Sequence, residues 1–148
     1  MAFRFTLKTM LRLRESLERA ELQLLQAIAA HVVRVRAEIE SLDARAEEAR
    51  RQLLRDASGG ISGAELRFGA LREAAWQELR SGLQEKLAEL EKLRRAQQMR
   101  YKEARQRREI LSNLRERQYE AYRLEQSRRE QKLVDELFVI RRGSSAAK

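Results

Sequence analysis

The sequence predicts an all-α protein: a long two-helix antiparallel coiled-coil hairpin with a protruding C-terminal helix. Three observations predict it. The 148 residues include no Pro, and a single interior Pro costs a helix about 3 kcal/mol. Charged residues make up 37% of the chain and aromatic residues 5%, a balance that suits coiled coils and not a thick globular core. Apolar residues recur at steps of four and three, which is the seam of a coiled coil, and one turn signal separates two such runs. The length allows one coiled-coil domain over residues 1–148.

The first element is a helix from about Thr6 to Ala57. Thr6 can cap it, its hydroxyl accepting from an orphan N–H of the first turn. Ile28, Val32, Val35, Ile39, Leu42, Ala46, Ala49 and Leu53 form the seam. Met10, Leu13, Leu17, Ala20 and Leu24 continue it toward the N-terminus, after a phase slip between Leu24 and Val32. Such a slip relaxes the supercoil locally.

The second element is a turn over residues 58–62, in "RDASGGISGAEL" (Arg55 to Leu66). Gly59 and Gly60 can adopt the left-handed conformation that ends a helix. Ser62 can cap the next helix, with Glu65 completing a Ser-x-x-Glu capping box and Ile61 and Leu66 spaced as a hydrophobic staple.

The third element is a helix from about Gly63 to Arg142. Trp76, Leu79, Leu83, Leu87, Leu90 and Leu93 are its seam, which thins through Tyr101, Ala104, Leu111, Leu114, Gln118 and Tyr122. The tail "GSSAAK", residues 143–148, reads as disordered. At about 1.5 Å per residue the helices span roughly 75 Å and 120 Å. Folding at the glycines sets Thr6 opposite a residue near 113, so about 28 residues of the second helix would overhang. "KLVDELFVIRRG", residues 132–143, lies at the tip of that overhang. An apolar patch that the fold does not bury marks an interaction surface. A shifted first helix or a paired second molecule would instead make it ordinary core, and the sequence leaves that reading open.

The formal net charge is +9, and most of it lies between Arg94 and Lys132, where thirteen basic residues face six acidic ones. Arg dominates the block, which favours bidentate contact with carboxylates or phosphates. Pairs such as Glu125 with Arg129 have the spacing of a solvated helix face. With Glu interleaved throughout, the expected partner is an acidic protein surface, and no nucleic acid is expected.

Catalytic constellations are missing from the sequence. His31 is the only histidine, there is no Cys, and Asp43, Asp56 and Asp135 stand far apart. A lone His makes no metal site. "GGISG" lacks the Lys-Ser or Lys-Thr that follows in a phosphate-binding loop. The expectation is no catalytic residue, no metal and no cofactor: a protein that is not an enzyme and acts by contact. The longest uncharged run, Leu22 to Val33, contains Gln23, Gln26 and His31 and is shorter than the roughly 18–20 apolar residues of a membrane span. "MAFRFTLKTMLRLRE" is interrupted by Arg4, Lys8, Arg12 and Arg14, unlike a secretory signal. A cytoplasmic protein is expected.

Two end segments resemble the FliJ family of the bacterial flagellar export apparatus. "FRFTLKTMLRLRESLE", Phe3 to Glu18, is similar to that family's opening pattern of Phe-x-Phe-x-Leu followed by Leu-x-x-Arg or Leu-x-Arg. "SRREQKLVDEL", Ser127 to Leu137, is similar to its Arg-x-x-Gln-Lys-x-x-Asp-Glu signature, here Arg128, Gln131, Lys132, Asp135 and Glu136. The Gly-Gly-Ile turn at residues 59–61 also fits. The resemblance implies a stalk-like coiled coil whose paired termini enter the hexameric ring of the export ATPase and promote its assembly and activity. It further implies contact with the export gate protein in the membrane and with flagellar substrate chaperones, at a cytoplasmic position peripheral to the inner membrane, as a monomer.

Carried onto this chain, the resemblance assigns ATPase-ring contacts to Phe3, Phe5, Leu7, Leu11 and Arg14 at one end. At the other it assigns them to Arg128, Arg129, Gln131, Lys132, Leu133, Asp135, Glu136, Leu137, Phe138 and Ile140. Trp76 is the candidate for the gate, since a lone Trp on a charged helix suits a hot spot; it also fits the seam. Three other readings fit the composition: a structural homodimeric coiled coil, a stalk protein of a virulence-type secretion system, and a basic nucleic-acid-binding coiled coil.

Overall fold

The computed structural model describes residues 2–147. The chain is an all-α two-helix hairpin: α1 spans Lys8–Ser58 and α2 spans Gly63–Ala146, with no strand among the described residues. α1 begins two residues after Thr6, where the Lys8 N–H donates to the Phe5 carbonyl at 3.2 Å and closes the first turn. α2 runs on past Arg142 through Gly143–Ala146, the segment read from sequence as a disordered tail. The Ser145 hydroxyl donates to the Arg142 carbonyl at 3.3 Å there, and no Pro forbids the extra turn. The last residue of that tail, Lys148, lies outside the described residues.

The connection is built as the glycines dictate. The Gly59 N–H donates to the Asp56 carbonyl and the Gly60 N–H to the Ala57 carbonyl, both at 3.1 Å. Gly60 has φ +86°, a conformation that disfavours any residue carrying a Cβ. Beyond it the Ser62 hydroxyl accepts from the Glu65 N–H at 3.2 Å and caps α2. Ile61 is half-buried, but Leu66 is 54% exposed, so the staple covers little apolar surface.

The chain divides into two compact units. One is Arg19–Lys102, the two arms joined by the turn. Val32 and Val35 on α1 and Leu90 on α2 form its buried core, with Ile39 and Leu87 packed against them. Gln97 is also buried there, its amide Nε2 donating to the Glu21 carbonyl at 3.0 Å and to the Glu21 carboxylate. Ion pairs flank the seam: Arg36 with Glu91 at 2.6 Å, Arg80 with Asp43 at 3.0 Å, and Arg50 with Glu73. Exposed pairs of this kind add about 0–1 kcal/mol each, so the valines and leucines carry most of the stabilisation.

The other unit is Met1–Glu18 with Glu103–Lys148. Phe5 and Leu11 are its buried apolar residues. The Phe3 ring packs on Tyr119 and Tyr122 with centroids 5.3 and 5.6 Å away. Arg108 holds Glu18 bidentately, Nε to Oε2 at 2.7 Å and Nη2 to Oε1 at 3.2 Å.

The seam of α1 corrects the expectation over its N-terminal third. Met10, Leu13, Leu17 and Leu24 are 44–55% exposed and Ala20 is exposed, while Leu11 is buried and Glu15, Glu18, Leu22 and Leu25 are half-buried. The inward face is therefore Leu11, Glu15, Glu18, Leu22 and Leu25, one phase away from the apolar run read from sequence. Two of its members are carboxylates, and the fold accommodates Glu18 by bringing Arg108 to it.

Candidate interaction surface

The surface grows out of the end of α2. From Ser127 to Ala147 every described residue is exposed. Leu133, Val134, Leu137, Phe138, Val139 and Ile140 are each 59–67% exposed, and no residue of the same unit covers them. Leu137 to Ile140 are four successive apolar residues. At about 100° per residue, four successive positions go round the whole helix. This stretch is apolar on every side, and a helix of that kind belongs inside something.

Charged groups lead up to it. Arg129 pairs with Glu125 at 2.5 Å and the Gln131 amide donates to Asp135 at 3.3 Å, both one turn apart on α2. Among the described residues, Arg107, Arg115, Arg117, Arg123, Arg128 and Lys132 form no ion pair. The excess charge read from the sequence thus stands unneutralised on the stretch of helix that precedes the apolar tip. Such a field attracts an acidic surface.

The N-terminal candidates sit differently. Phe5 and Leu11 are buried, and Phe3, Leu7 and Arg14 are half-buried. They hold residues 2–18 against α2 within their unit. The outward apolar residues there are Met10, Leu13 and Leu17, 44–55% exposed, which the sequence reading placed in the seam. Alternation of exposure cannot be read from one helix whose both faces carry Leu.

Glu18 sits at the heart of this clasp. The hydrogen bond from Arg108 lowers its pKa below the ordinary 4.5, against the opposing pull of burial, and raises that of Arg108 in return. The pair is therefore ionised on both sides at neutral pH.

Trp76 lies half-buried in the other unit, beside the α1 groove formed by Leu42, Asp43, Ala46 and Arg50. The Arg72 guanidinium carbon stands 5.0 Å from its ring centroid, a cation–π distance. One face of the indole is thus engaged within the chain. No helix among the described residues is long and apolar enough to cross a membrane.

The family model described as "Flagellar FliJ protein" matches residues 3–147. No curated protein and no solved structure matches.

Proposed function

The chain belongs to the FliJ family of flagellar export apparatus components, and from that premise we propose that the C-terminal tip of α2 is a stalk end that seats in the ring of the export ATPase. The family is a non-catalytic part of flagellum biogenesis and protein export. The carrying observation is the all-round apolar run Leu137 to Ile140, each residue of it 64–67% exposed. A groove covers one face of a helix. A ring covers all of them.

In this reading Leu133, Leu137, Phe138 and Ile140 meet an apolar sleeve. Arg128, Arg129, Gln131 and Lys132 meet acidic groups at its mouth, and Asp135 and Glu136 its donors. Phe3, Phe5, Leu7, Leu11 and Arg14 act as a buttress that stiffens α2 below the tip, and Met10, Leu13 and Leu17 offer the N-terminal apolar contact. Seating the stalk promotes ring assembly and hydrolysis. The same protein links the ring to the export gate, with Trp76 as contact, and to substrate chaperones, at a cytoplasmic site peripheral to the inner membrane.

The test is ATP hydrolysis by the export ATPase of the same genome. The full chain stimulates it, and a version ending at Gln126 does not. Leu137→Asp with Ile140→Asp gives the same loss in the full-length protein. If the full chain neither binds nor stimulates the ATPase while remaining helical, the stalk reading fails.

A further inference from the structure

α1 carries two apolar rows, and the more regular of them stands exposed. Met10, Leu13, Leu17, Ala20, Leu24 and Ala27 recur at steps of three and four. The Met and the three Leu are 44–55% exposed, and both Ala are exposed as well. At about 100° per residue the six fall within an arc of about 100°. The inward residues Leu11, Leu22 and Leu25 lie on the far side of the same unbroken helix. No charged residue interrupts the outer row from Met10 to Ala27. It has the spacing and composition of a coiled-coil seam, and a seam of that kind takes a second helix.

We propose that the second helix is α1 of another copy of the same chain, antiparallel, with a two-fold axis between Glu18 and Arg19. Residue i of one copy then stands level with residue 37 − i of the other. Leu17 meets Ala20 of the second copy, Leu13 meets Leu24 and Met10 meets Ala27, and symmetry repeats each layer. Large faces small in the innermost and outermost layers, which is how facing helices interdigitate. A parallel pair would set Ala20 on Ala20 and Ala27 on Ala27 and leave those layers underfilled.

The flanking charges select the second copy and this register. Arg14 and Glu21 border the row on one side; Thr9, Ser16 and Gln23 border it on the other. A two-fold between antiparallel helices keeps each flank on its own side, so Arg14 and Glu21 of one copy face Arg14 and Glu21 of the other. In the proposed register Arg14 is level with Gln23 of the second copy. Glu21 of that copy is two residues, about 3 Å along the axis, away. The reciprocal pair forms by symmetry. Sliding one copy to the next layer on either side, with i level to 30 − i or 44 − i, keeps apolar layers in contact. The first slide brings Arg14 to Arg14, and the second brings Glu21 to Glu21. Opposite charges meet in the middle register alone. Arg14 is half-buried and forms no ion pair in its own chain among the described residues. Glu21 is half-buried and accepts from Gln97 through Oε2, which leaves Oε1 for the incoming guanidinium.

The row is short, about 26 Å of helix from Met10 to Ala27. That places the contact among weak, concentration-dependent ones rather than obligate dimers. It is argued from α1 alone and does not need the stalk reading. Under that reading Met10, Leu13 and Leu17 also touch the ring, so a chain seated in the ring is released from its second copy.

Sedimentation equilibrium of the full-length protein over a wide concentration range tests the proposal. The mass rises from one chain toward two, and Leu17→Asp, at an exposed position, holds it at one while the helix content stays unchanged. Arg14→Glu alone and Glu21→Arg alone each weaken the association by about tenfold or more, because each sets like charges side by side. Mixing those two variants restores it to within about threefold of the original, since each then offers the charge the other lacks. The chain has no cysteine of its own, so direction can be read by cross-linking. Met10→Cys mixed with Ala27→Cys gives a disulfide-linked pair on oxidation, and Met10→Cys alone does not. A single-chain mass at every concentration overturns the proposal. So does an association that Leu17→Asp or the single reversals leave unchanged, or that mixing does not restore. A disulfide from Met10→Cys alone shows a parallel pair and overturns the register. Leu137→Asp at the tip leaves the association unaltered; if that change abolishes it, the copies meet at the tip and the α1 contact is wrong. Stimulation of the export ATPase is read separately, so failure of one reading does not carry the other with it.

Discussion

Gln97 is the buried polar side chain of the α1–α2 seam. Its amide satisfies both the carbonyl and the carboxylate of Glu21, and that pairing holds only in one register of the arms. Gln97→Ala leaves the Glu21 groups without their donor and is expected to cost about 1–3 kcal/mol in urea unfolding. Glu18 makes a comparable commitment to Arg108. Its pKa is lowered in the folded protein, so the stabilisation is fully present above its ordinary value of 4.5 and is lost as pH falls below that through the lowered value. Thermal melts from pH 6 downward should therefore show a fall at and below about pH 4.5, and Glu18→Gln should flatten part of it while lowering stability at neutral pH. At the turn, Gly60→Ala meets no neighbour but inherits φ +86°, and is expected to cost about 1–2 kcal/mol. None of the long-range partnerships was legible in the sequence. Glu18, Glu21, Gln97 and Arg108 look like any other solvated residues until the second helix is laid beside the first.

At the scale of the element, the helices and their junction were legible. A chain without Pro, with one Gly-Gly and a Ser-x-x-Glu box after it, has one place to turn. Val35, fully buried, lies in the part of the seam that the sequence reading placed correctly, and Val35→Ala should cost about 2 kcal/mol in chemical unfolding. The N-terminal third of α1 was misread because two apolar rows run along it one phase apart. Met10, Leu13, Leu17, Ala20 and Leu24 have the better apolar pattern, yet Leu11, Leu22 and Leu25 turn inward. Helical glycines separate the two faces of α2. Gly82→Ala, measured in dilute solution, should raise stability by about 0.5–1 kcal/mol, since the new methyl meets nothing. Gly69→Ala should gain less or nothing, because Leu53 must give way.

At the scale of the whole molecule, burial is spread unevenly along one continuous helix. α2 has Leu90 and Gln97 as its buried residues, and nothing but exposed residues follows Gln126. Amide hydrogen exchange should be slowest around Val32, Val35 and Leu90 and fastest in helical residues 127–146, which have no tertiary partner to hold them. A chain ending at Gln126 should melt within about 0.5 kcal/mol of the full protein, because it loses no buried contact, while losing ATPase stimulation. The charge of +9 should make binding to an acidic partner weaken as salt rises, with the unpaired Arg115, Arg117, Arg123, Arg128 and Lys132 contributing most.

The sequence by itself determined two helices, one turn and an apolar tip beyond the reach of the first helix. These follow from local chemistry: backbone preferences of Gly and Ser, the absence of Pro, and the period of the apolar residues. It also carried the end motifs that mark the family. Only the tertiary structure decided which of two competing apolar rows on α1 faces inward, that Phe5 and Leu11 are buried rather than presented, and that Phe68, Leu71 and Leu79 stand outside the seam. Those choices depend on the neighbouring helix, because a side chain's burial is set by what lies opposite it, and a carboxylate such as Glu18 turns inward only where an Arg108 waits to receive it.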